Sequence, residues 1–291
     1  MKDSACPICL ATKCFERYPD ELRGSLPLVD YNFQPATRLT YRIVECLRCR
    51  HQWVSPAPQV EKLYVENQDE AYLSARAQRS ASAEAWLKIV TKHAPPAVGH
   101  NLLDVGCATG IFLDAASRQY AVLGVELSDW AANVASTRHK ILRQPISQTS
   151  LDIKMDVVTM WGVIEHLPDP RQELEAISKI LNRHGTIFIY TGDRSALVPR
   201  LLRKHWWWYQ GMHIQYFSKS GLRSLLESFG FEVIKTLNLP LFFSLRSLAQ
   251  SMNRYKSLKP FVWILRKRPL AQFHIRLMIS GEMLMIARKV R

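Results

Sequence analysis

Leu102-Leu103-Asp104-Val105-Gly106-Cys107-Ala108-Thr109-Gly110, followed by Ile111-Phe112-Leu113, decides the fold of this 291-residue chain. A short apolar run enters a turn bearing two glycines and leaves as a helix, the opening of a βα unit. Glycine allows backbone conformations and close approaches that a Cβ would obstruct. From Asn101 onward, short apolar runs alternate with amphipathic stretches. The pattern predicts strands at 101–105, 120–126, 140–142, 156–161, 185–191, 231–237 and 282–288, with helices at 110–118, 128–138, 170–182 and 218–229. That order implies an α/β fold: a seven-stranded, mostly parallel sheet flanked by helices.

The loop departs from the dinucleotide fingerprint G-x-G-x-x-G. Gly106 and Gly110 are separated by Cys107-Ala108-Thr109, and an acid, Asp104, precedes the turn. An acid there has little use against a pyrophosphate, but it suits the cationic amino-acid end of S-adenosylmethionine (SAM). Glu126 stands at the tip of the second strand in Gly124-Val125-Glu126-Leu127-Ser128, where a carboxylate can accept both hydroxyls of a ribose. With these residues, with Met155 to Pro170 and with His213-Ile214-Gln215-Tyr216-Phe217-Ser218, the chain resembles class I SAM-dependent methyltransferases, in the branch that includes the ubiquinone-type O-methyltransferases. The resemblance covers about residues 100–240 and the last strand, and one glycine of the family's D-x-G-x-G-x-G motif is Ala108 here. It implies a Rossmann-like sheet and an enzyme that uses SAM. Carried over residue by residue, Asp104, Gly106 and Gly110 face the methionine moiety, Glu126 the ribose, and Gln144-Pro145-Ile146 the adenine edge. Trp161 lies against the cofactor after the fourth strand.

Cys6-Pro7-Ile8-Cys9 and Cys46-Leu47-Arg48-Cys49 form two C-x-x-C knuckles. Each knuckle offers two thiolates from one tight turn, and a pair of them matches the tetrahedral preference of Zn2+. The layout is a small zinc ribbon with Cys6, Cys9, Cys46 and Cys49 as ligands, closed by four thiolates and therefore structural. Thr40-Tyr41-Arg42-Ile43-Val44 alternates like a strand leading into the second knuckle. Such knuckles often carry glycine after the second cysteine, where Leu10 and Arg50 stand here. Cys14 and His51 are the spare candidates.

These signals divide the chain into a zinc-ribbon domain (1–58), a helical linker or lid (59–99) and a methyltransferase domain (100–291) with a basic amphipathic insertion at 239–280. The start of the sequence has no apolar export signal, and no apolar run is long enough to span a bilayer. The expectation is a cytoplasmic protein in which paired cysteines serve a metal rather than disulfides.

Methyl transfer to a hydroxyl is helped by a base, usually a histidine with a pKa near neutrality. His213 is the first candidate and His166 the second, with Tyr209 and His205 behind them. Three successive tryptophans, Trp206-Trp207-Trp208, cannot all face one core from a regular element, so one or more is expected beside an acceptor. The zinc ribbon, joined to the resemblance, implies a small-molecule, sugar, glycan or lipid-linked acceptor. RNA is the rival acceptor, since some zinc-bearing ribosomal RNA methyltransferases share this layout. Against RNA, the fourth strand is followed by Trp161-Gly162-Val163-Ile164 rather than the N/D-P-P-Y/F tetrapeptide of base methylators.

Charge is concentrated in one region. From Pro240 to Arg291 there are eleven basic residues against the single acid Glu282, a net +10 of the chain's +14. Between 239 and 280 these cations are interleaved with Leu241, Phe242, Phe243, Phe261, Val262, Trp263 and Ile264. The composition suits an anionic membrane surface or a phosphate-bearing lipid-linked substrate; packing on the rest of the protein is the other reading. Co-sedimentation with anionic liposomes at low ionic strength separates them, because electrostatic attraction is strongest there. Binding that is lost with zwitterionic lipid supports the membrane surface, and no binding leaves packing.

Overall fold

The structure, a computed structural model, describes residues 3–27, 39–58, 75–244, 274–278 and 280–290. Three short strands come first: β1 (Cys14–Tyr18), β2 (Ile43–Cys46) and β3 (Gln52–Val54). Helix α1 (Arg76–His93) leads into the alternating part: β4 (Asn101–Val105), α2 (Ile111–Ala116), β5 (Ala121–Val125), α3 (Asp129–Ser136) and β6 (Ile141–Leu142). Then follow β7 (Met155–Trp161), α4 (Pro170–Ile180), β8 (Leu181–Gly192), α5 (Leu197–Leu202), β9 (Gln215–Tyr216) and α6 (Lys219–Glu227). The last strands are β10 (Phe231–Leu237), β11 (Pro240–Ser244), β12 (His274–Met278) and β13 (Glu282–Lys289).

The main sheet has the order β10-β13-β8-β7-β4-β5-β6. Strands β6, β5, β4, β7 and β8 run parallel, whereas β13 is antiparallel to both β8 and β10. All seven strands expected from the sequence are present. Both faces are covered, and the period of two along each strand sends alternate side chains to opposite cores. Leu103, Val105, Val158, Met160, Ile187, Ile189, Met283 and Met285 join one apolar cluster. Their neighbours Leu102, Val157, Phe188, Tyr190, Leu284 and Ile286 join the other. Each fully buried aliphatic side chain of this kind contributes about 1.5–3 kcal/mol relative to exposure.

The helices start where short polar side chains satisfy their open amides. Ser128 accepts from Ala131 N at the start of α3, and Ser218 from Gly221 N at the start of α6. Asp169 accepts from Arg171 N and Gln172 N, with Pro170 opening α4.

The chain runs from β4 outward to β5 and β6, then crosses back to β7 and β8. Such a reversal opens a crevice at the carboxyl ends of the strands, between β4 and β7. The Gly106 turn lies there.

A second sheet, β1-β2-β3-β9, joins strands of the cysteine-rich segment to β9 from the other end of the chain. Alternation placed a strand at Thr40–Val44. Pairing begins instead at Ile43, opposite Tyr18, and runs through Cys46 opposite Cys14. Arg42 is drawn out of the ladder by Asp3 and Glu16. The segment expected as an amphipathic insertion at 239–280 leaves and returns as an antiparallel pair, β11 with β12. Its residues 245–273, like the helical pattern expected at 60–74, lie outside the described residues. Among the described residues, no helix is long and apolar enough to cross a membrane.

Gly124 on β5 shows how closely α2 sits on the sheet. A Cβ there would lie 2.6 Å from Cys107 Sγ, 2.7 Å from Ile141 Cδ1 and 2.9 Å from Leu113 Cδ1. Gly124→Ala is therefore expected to destabilise the chain by about 1–3 kcal/mol through overpacking, read as a lower midpoint in denaturant. An unchanged midpoint would mean that α2 shifts without cost.

Candidate active site and cysteine cluster

The turn after β4 bends through three left-handed residues: Gly106 (φ 70°), Ala108 (φ 47°) and Gly110 (φ 80°). Ala108 thus takes up the conformation for which the family motif uses glycine. A Cβ on Gly106 would lie 2.5 Å from Val163 Cγ2, so glycine lets the loop after β7 close over the turn. Gly106 N and Cys107 N both donate to Val125 O (2.8 and 2.9 Å), which ties the turn to the end of β5.

Two acids brace this corner. Asp104 is buried, and its Oδ1 accepts from Thr159 Oγ1 at 2.7 Å, joining β4 to β7. Burial, with Glu126 nearby, pushes its pKa up to about 8. Glu126 accepts from Ala108 N through Oε2 and from Ser128 N through Oε1, both at 2.8 Å. Its carboxyl is raised by burial and lowered in part by those amides. Asp104 therefore stands beneath the turn, while Glu126 stands beside it at the tip of β5. Ile146 begins a 3-10 turn (Ile146–Gln148) whose amide donates to Glu173 at 3.1 Å, and its side chain is core. Pro145 precedes it, half-buried. Trp161 at the end of β7 stacks on Trp86 of α1 (centroids 4.8 Å) and meets Phe112 edge-on (5.0 Å). Two buried polar atoms at this corner, Thr109 Oγ1 and Trp161 Nε1, have no hydrogen-bond partner among the described residues. Turn, carboxylate and orphaned donors fit a polar cofactor such as SAM.

The two histidines are brought together. His166 ends the 3-10 turn (Ile164–His166) that starts beside Val163, and its ring lies 4.7 Å from that of His213, edge to face. Each points Nδ1 at a backbone carbonyl: His166 to Met212 O (2.8 Å) and His213 to Trp208 O (2.7 Å). Gln210 Nε2 lies 3.1 Å from His213 Nε2. Burial lowers the His166 pKa to about 4, and burial together with His166 holds His213 well below its ordinary value. Both rings are neutral near pH 7.

Behind them, Glu165 Oε2 accepts from Thr191 Oγ1 at 2.9 Å, and burial raises it to about 8. Glu282, pushed to about 7 by burial, accepts from Tyr190 and from Trp207 Nε1. Residue order alone pointed to neither Thr191 nor Glu282.

The other candidates lie elsewhere. His205 is exposed, and Tyr209 directs its hydroxyl to Gln52 Oε1 at 2.6 Å, toward the cysteine-rich segment. Of the three tryptophans, Trp206 and Trp208 are buried and stacked (6.1 Å), while Trp207 is half-buried. They follow a 3-10 turn (Arg203–His205) rather than sharing one regular element, which is how two successive indoles reach the interior.

The four cysteines of the knuckles gather as expected. All four Sγ atoms lie within 4.8 Å of one another, with Cys6–Cys49 at 3.4 Å and Cys9–Cys46 at 3.6 Å. Sulfurs bonded tetrahedrally to zinc at about 2.3 Å stand about 3.8 Å apart, so the set fits that ion. Leu10 N donates to Cys6 O and Arg50 N to Cys46 O, closing two matched turns. Leu10 (φ 60°) and Arg50 (φ 64°) adopt the left-handed conformation without glycine. The hydrogen bond with Cys6 holds the Cys49 thiol below its ordinary value. Of the spare candidates, Cys14 meets Asp3 (3.5 Å) and His51 meets Gln215 (3.0 Å), so neither joins the cluster.

The family described as "Methyltransferase domain" matches residues 75–236. The chain belongs to that family. Ubiquinone biosynthesis O-methyltransferases are similar to it. That of Albidiferax ferrireducens is 33% identical over 114 residues, covering 35% of this chain and 45% of the relative. That of Idiomarina loihiensis is 31% identical over 119 residues, covering 38% and 49%. The chain thus spans about half the length of the curated relatives it matches. A SAM dependent methyltransferase from Archaeoglobus fulgidus shares the fold, with a TM-score of 0.52 at 16% identity, over 76% of this chain and 100% of that one.

The buried groups make stability depend on pH in two opposed ways. Histidines held neutral cost stability as pH falls from about 6.5 toward 4, because only the unfolded chain then takes up their protons. Glu165 holds its proton more tightly when folded, so its contribution is lost as pH rises toward about 8. Of these two kinds of group, only the buried acids change stability between about pH 6.5 and 8. Glu165→Gln should accordingly flatten the decline in thermal midpoint across that range; an unaltered slope would mean that Glu165 ionises normally.

Proposed function

We propose that this chain transfers a methyl group from SAM to a hydroxyl of a small-molecule, sugar, glycan or lipid-linked acceptor. The observation that carries the reading is the neutral pair His166–His213, set 4.7 Å apart beside the loop that covers the Gly106 turn. SAM, when bound, supplies an electrophilic methyl and needs no further activation. What remains for the protein is to hold the cofactor, align the hydroxyl, exclude water and take a proton.

Glu126, Gly106 and Gly110 form the cofactor side, with Asp104 bracing from beneath. His213 is the preferred base: with Nδ1–H committed to Trp208 O, its Nε2 lone pair accepts from Gln210 Nε2 at 3.1 Å and takes the proton of the acceptor once that amide is displaced. Trp208, whose ring packs 4.9 Å from His213, keeps water from that nitrogen. A base weakened by burial works best on an acidic hydroxyl. Phenols, with pKa about 10, therefore suit this pair better than ordinary alcohols. The aromatic group Trp86, Phe112 and Trp161 beside the turn suits a planar acceptor. The names of the relatives, which are O-methyltransferases of ubiquinone biosynthesis, support the same reading.

Labelled SAM offered with a panel of catechols, sugars and RNA tests the acceptor class, and methylation of RNA alone would overturn it. On an accepted catechol, His213→Ala is expected to slow transfer by roughly 10²- to 10⁴-fold while calorimetric SAM affinity stays unchanged. Glu126→Ala should instead lose SAM affinity. An undiminished rate in His213→Ala would remove that residue from catalysis.

A further inference from the structure

The cysteine cluster and the histidine pair share one sheet. Strand β3 begins three residues after Cys49 and pairs antiparallel with β9, Gln52 opposite Tyr216 and Trp53 opposite Gln215. Val54 N adds a bond to Ile214 O at 2.9 Å. Strand β9 in turn begins two residues after His213, and Ile214 N donates to Glu165 O at 2.8 Å. The backbone that carries both histidines is therefore sewn to the residues that leave the second knuckle.

Side chains repeat the connection. His51 Nε2 donates to Gln215 Oε1 at 3.0 Å, and Gln215 Nε2 donates to Leu167 O at 3.2 Å, next to His166. Gln215 thereby lies between the knuckle and both histidines. Alongside it, Tyr209 donates to Gln52 (2.6 Å) and Gln52 to Glu45 (2.6 Å), while Arg50 pairs with Glu45 (2.6 Å). His51, Gln52, Glu45 and Gln215 are all buried, so these bonds, apart from that of the exposed Arg50, are made away from competing water.

The cysteine-rich strands cannot supply this rigidity alone. β1, β2 and β3 contain five, four and three residues, at or below the usual strand length, so they are joined by few ladder bonds. In closed thiolate sites, the free energy of metal binding is folding free energy. The Gly106 turn, by contrast, is built from β4, β5 and β7 and receives no strand from the second sheet.

We propose that a metal ion held by Cys6, Cys9, Cys46 and Cys49 positions the His166–His213 pair through β3, β9 and Gln215, and that it does so without setting cofactor affinity. Gln215 is the positioning residue. The proposal rests on the reading of the two histidines as acceptor-side groups. Loss of the ion frees β3, and β9 then loses its partner.

The experiment uses the full chain, prepared without chelator and uniformly labelled with 15N, before and after removal of zinc. Metal analysis is expected to give one zinc per chain before treatment. After removal, amide exchange at Val54, Ile214 and Tyr216 should quicken at least tenfold, and the ring signals of His166 and His213 should shift. Exchange at Leu102–Val105 and SAM affinity should stay within twofold. Gln215→Leu, which keeps all four cysteines, should retain zinc and SAM affinity yet move the same ring signals. Protein without zinc, or ring signals indifferent to both chelation and Gln215→Leu, would overturn the proposal. So would loss of SAM affinity on chelation, since the cluster would then support the whole fold. Failure of untreated, zinc-loaded protein to bind SAM would count against the methyltransferase reading instead.

Discussion

The carboxylate of Glu126 is the interaction on which the corner around the Gly106 turn depends. One oxygen takes the amide of Ala108, inside the turn that follows β4, and the other takes the amide of Ser128, at the start of α3. One side chain thus fixes two consecutive crossovers of the sheet. Asp104 does the equivalent work across the switch in strand order, through Thr159 on β7. With both in place, Val163 can rest against Gly106, and the 3-10 turn carrying Glu165 and His166 follows from that contact. The first histidine is thus tied to the glycine turn on one side and to the strand after His213 on the other.

Much of this was legible in the residues. The seven strands of the main sheet show because each buried run carries a period of two or is apolar throughout, and the helices show through the amphipathic stretches between those runs. The four cysteines were legible because their spacing is itself the ligand geometry. Strands β3 and β9 were not, since three and two residues are too few for alternation to register, and their partners lie at opposite ends of the sequence. The left-handed turns at Leu10 and Arg50 were obscured by the absence of glycine; backbone bonds to Cys6 and Cys46 impose them instead. The meeting of His166 with His213 depends on the Ile214–Glu165 backbone bond, which no local pattern announces. Trp206 to Trp208 misled in part, because an irregular turn can bury neighbours that a helix or strand would separate.

The buried polar groups of the histidine pocket are matched by type. Neutral histidines sit within 4.8 Å of Glu165, whose pKa burial raises to about 8, so little net charge has to be sheltered from water at neutral pH. Isolated ionised groups at such depth would be far more costly.

The position of β13 bears on the order of assembly during synthesis. Among the described residues β10 is bonded in the main sheet to β13 alone, and β13 is inserted between β10 and β8. When the ribosome has made β10, that strand has no neighbour to join, and the edge of β8 stands open. Both wait for residues 282–289, which follow only after the β11–β12 excursion. Until then the nascent chain presents two unpaired strand edges, the kind of surface on which other chains add. Chaperone protection should matter most in that interval, and premature termination anywhere between β10 and β13 should yield an aggregating product rather than a smaller active one.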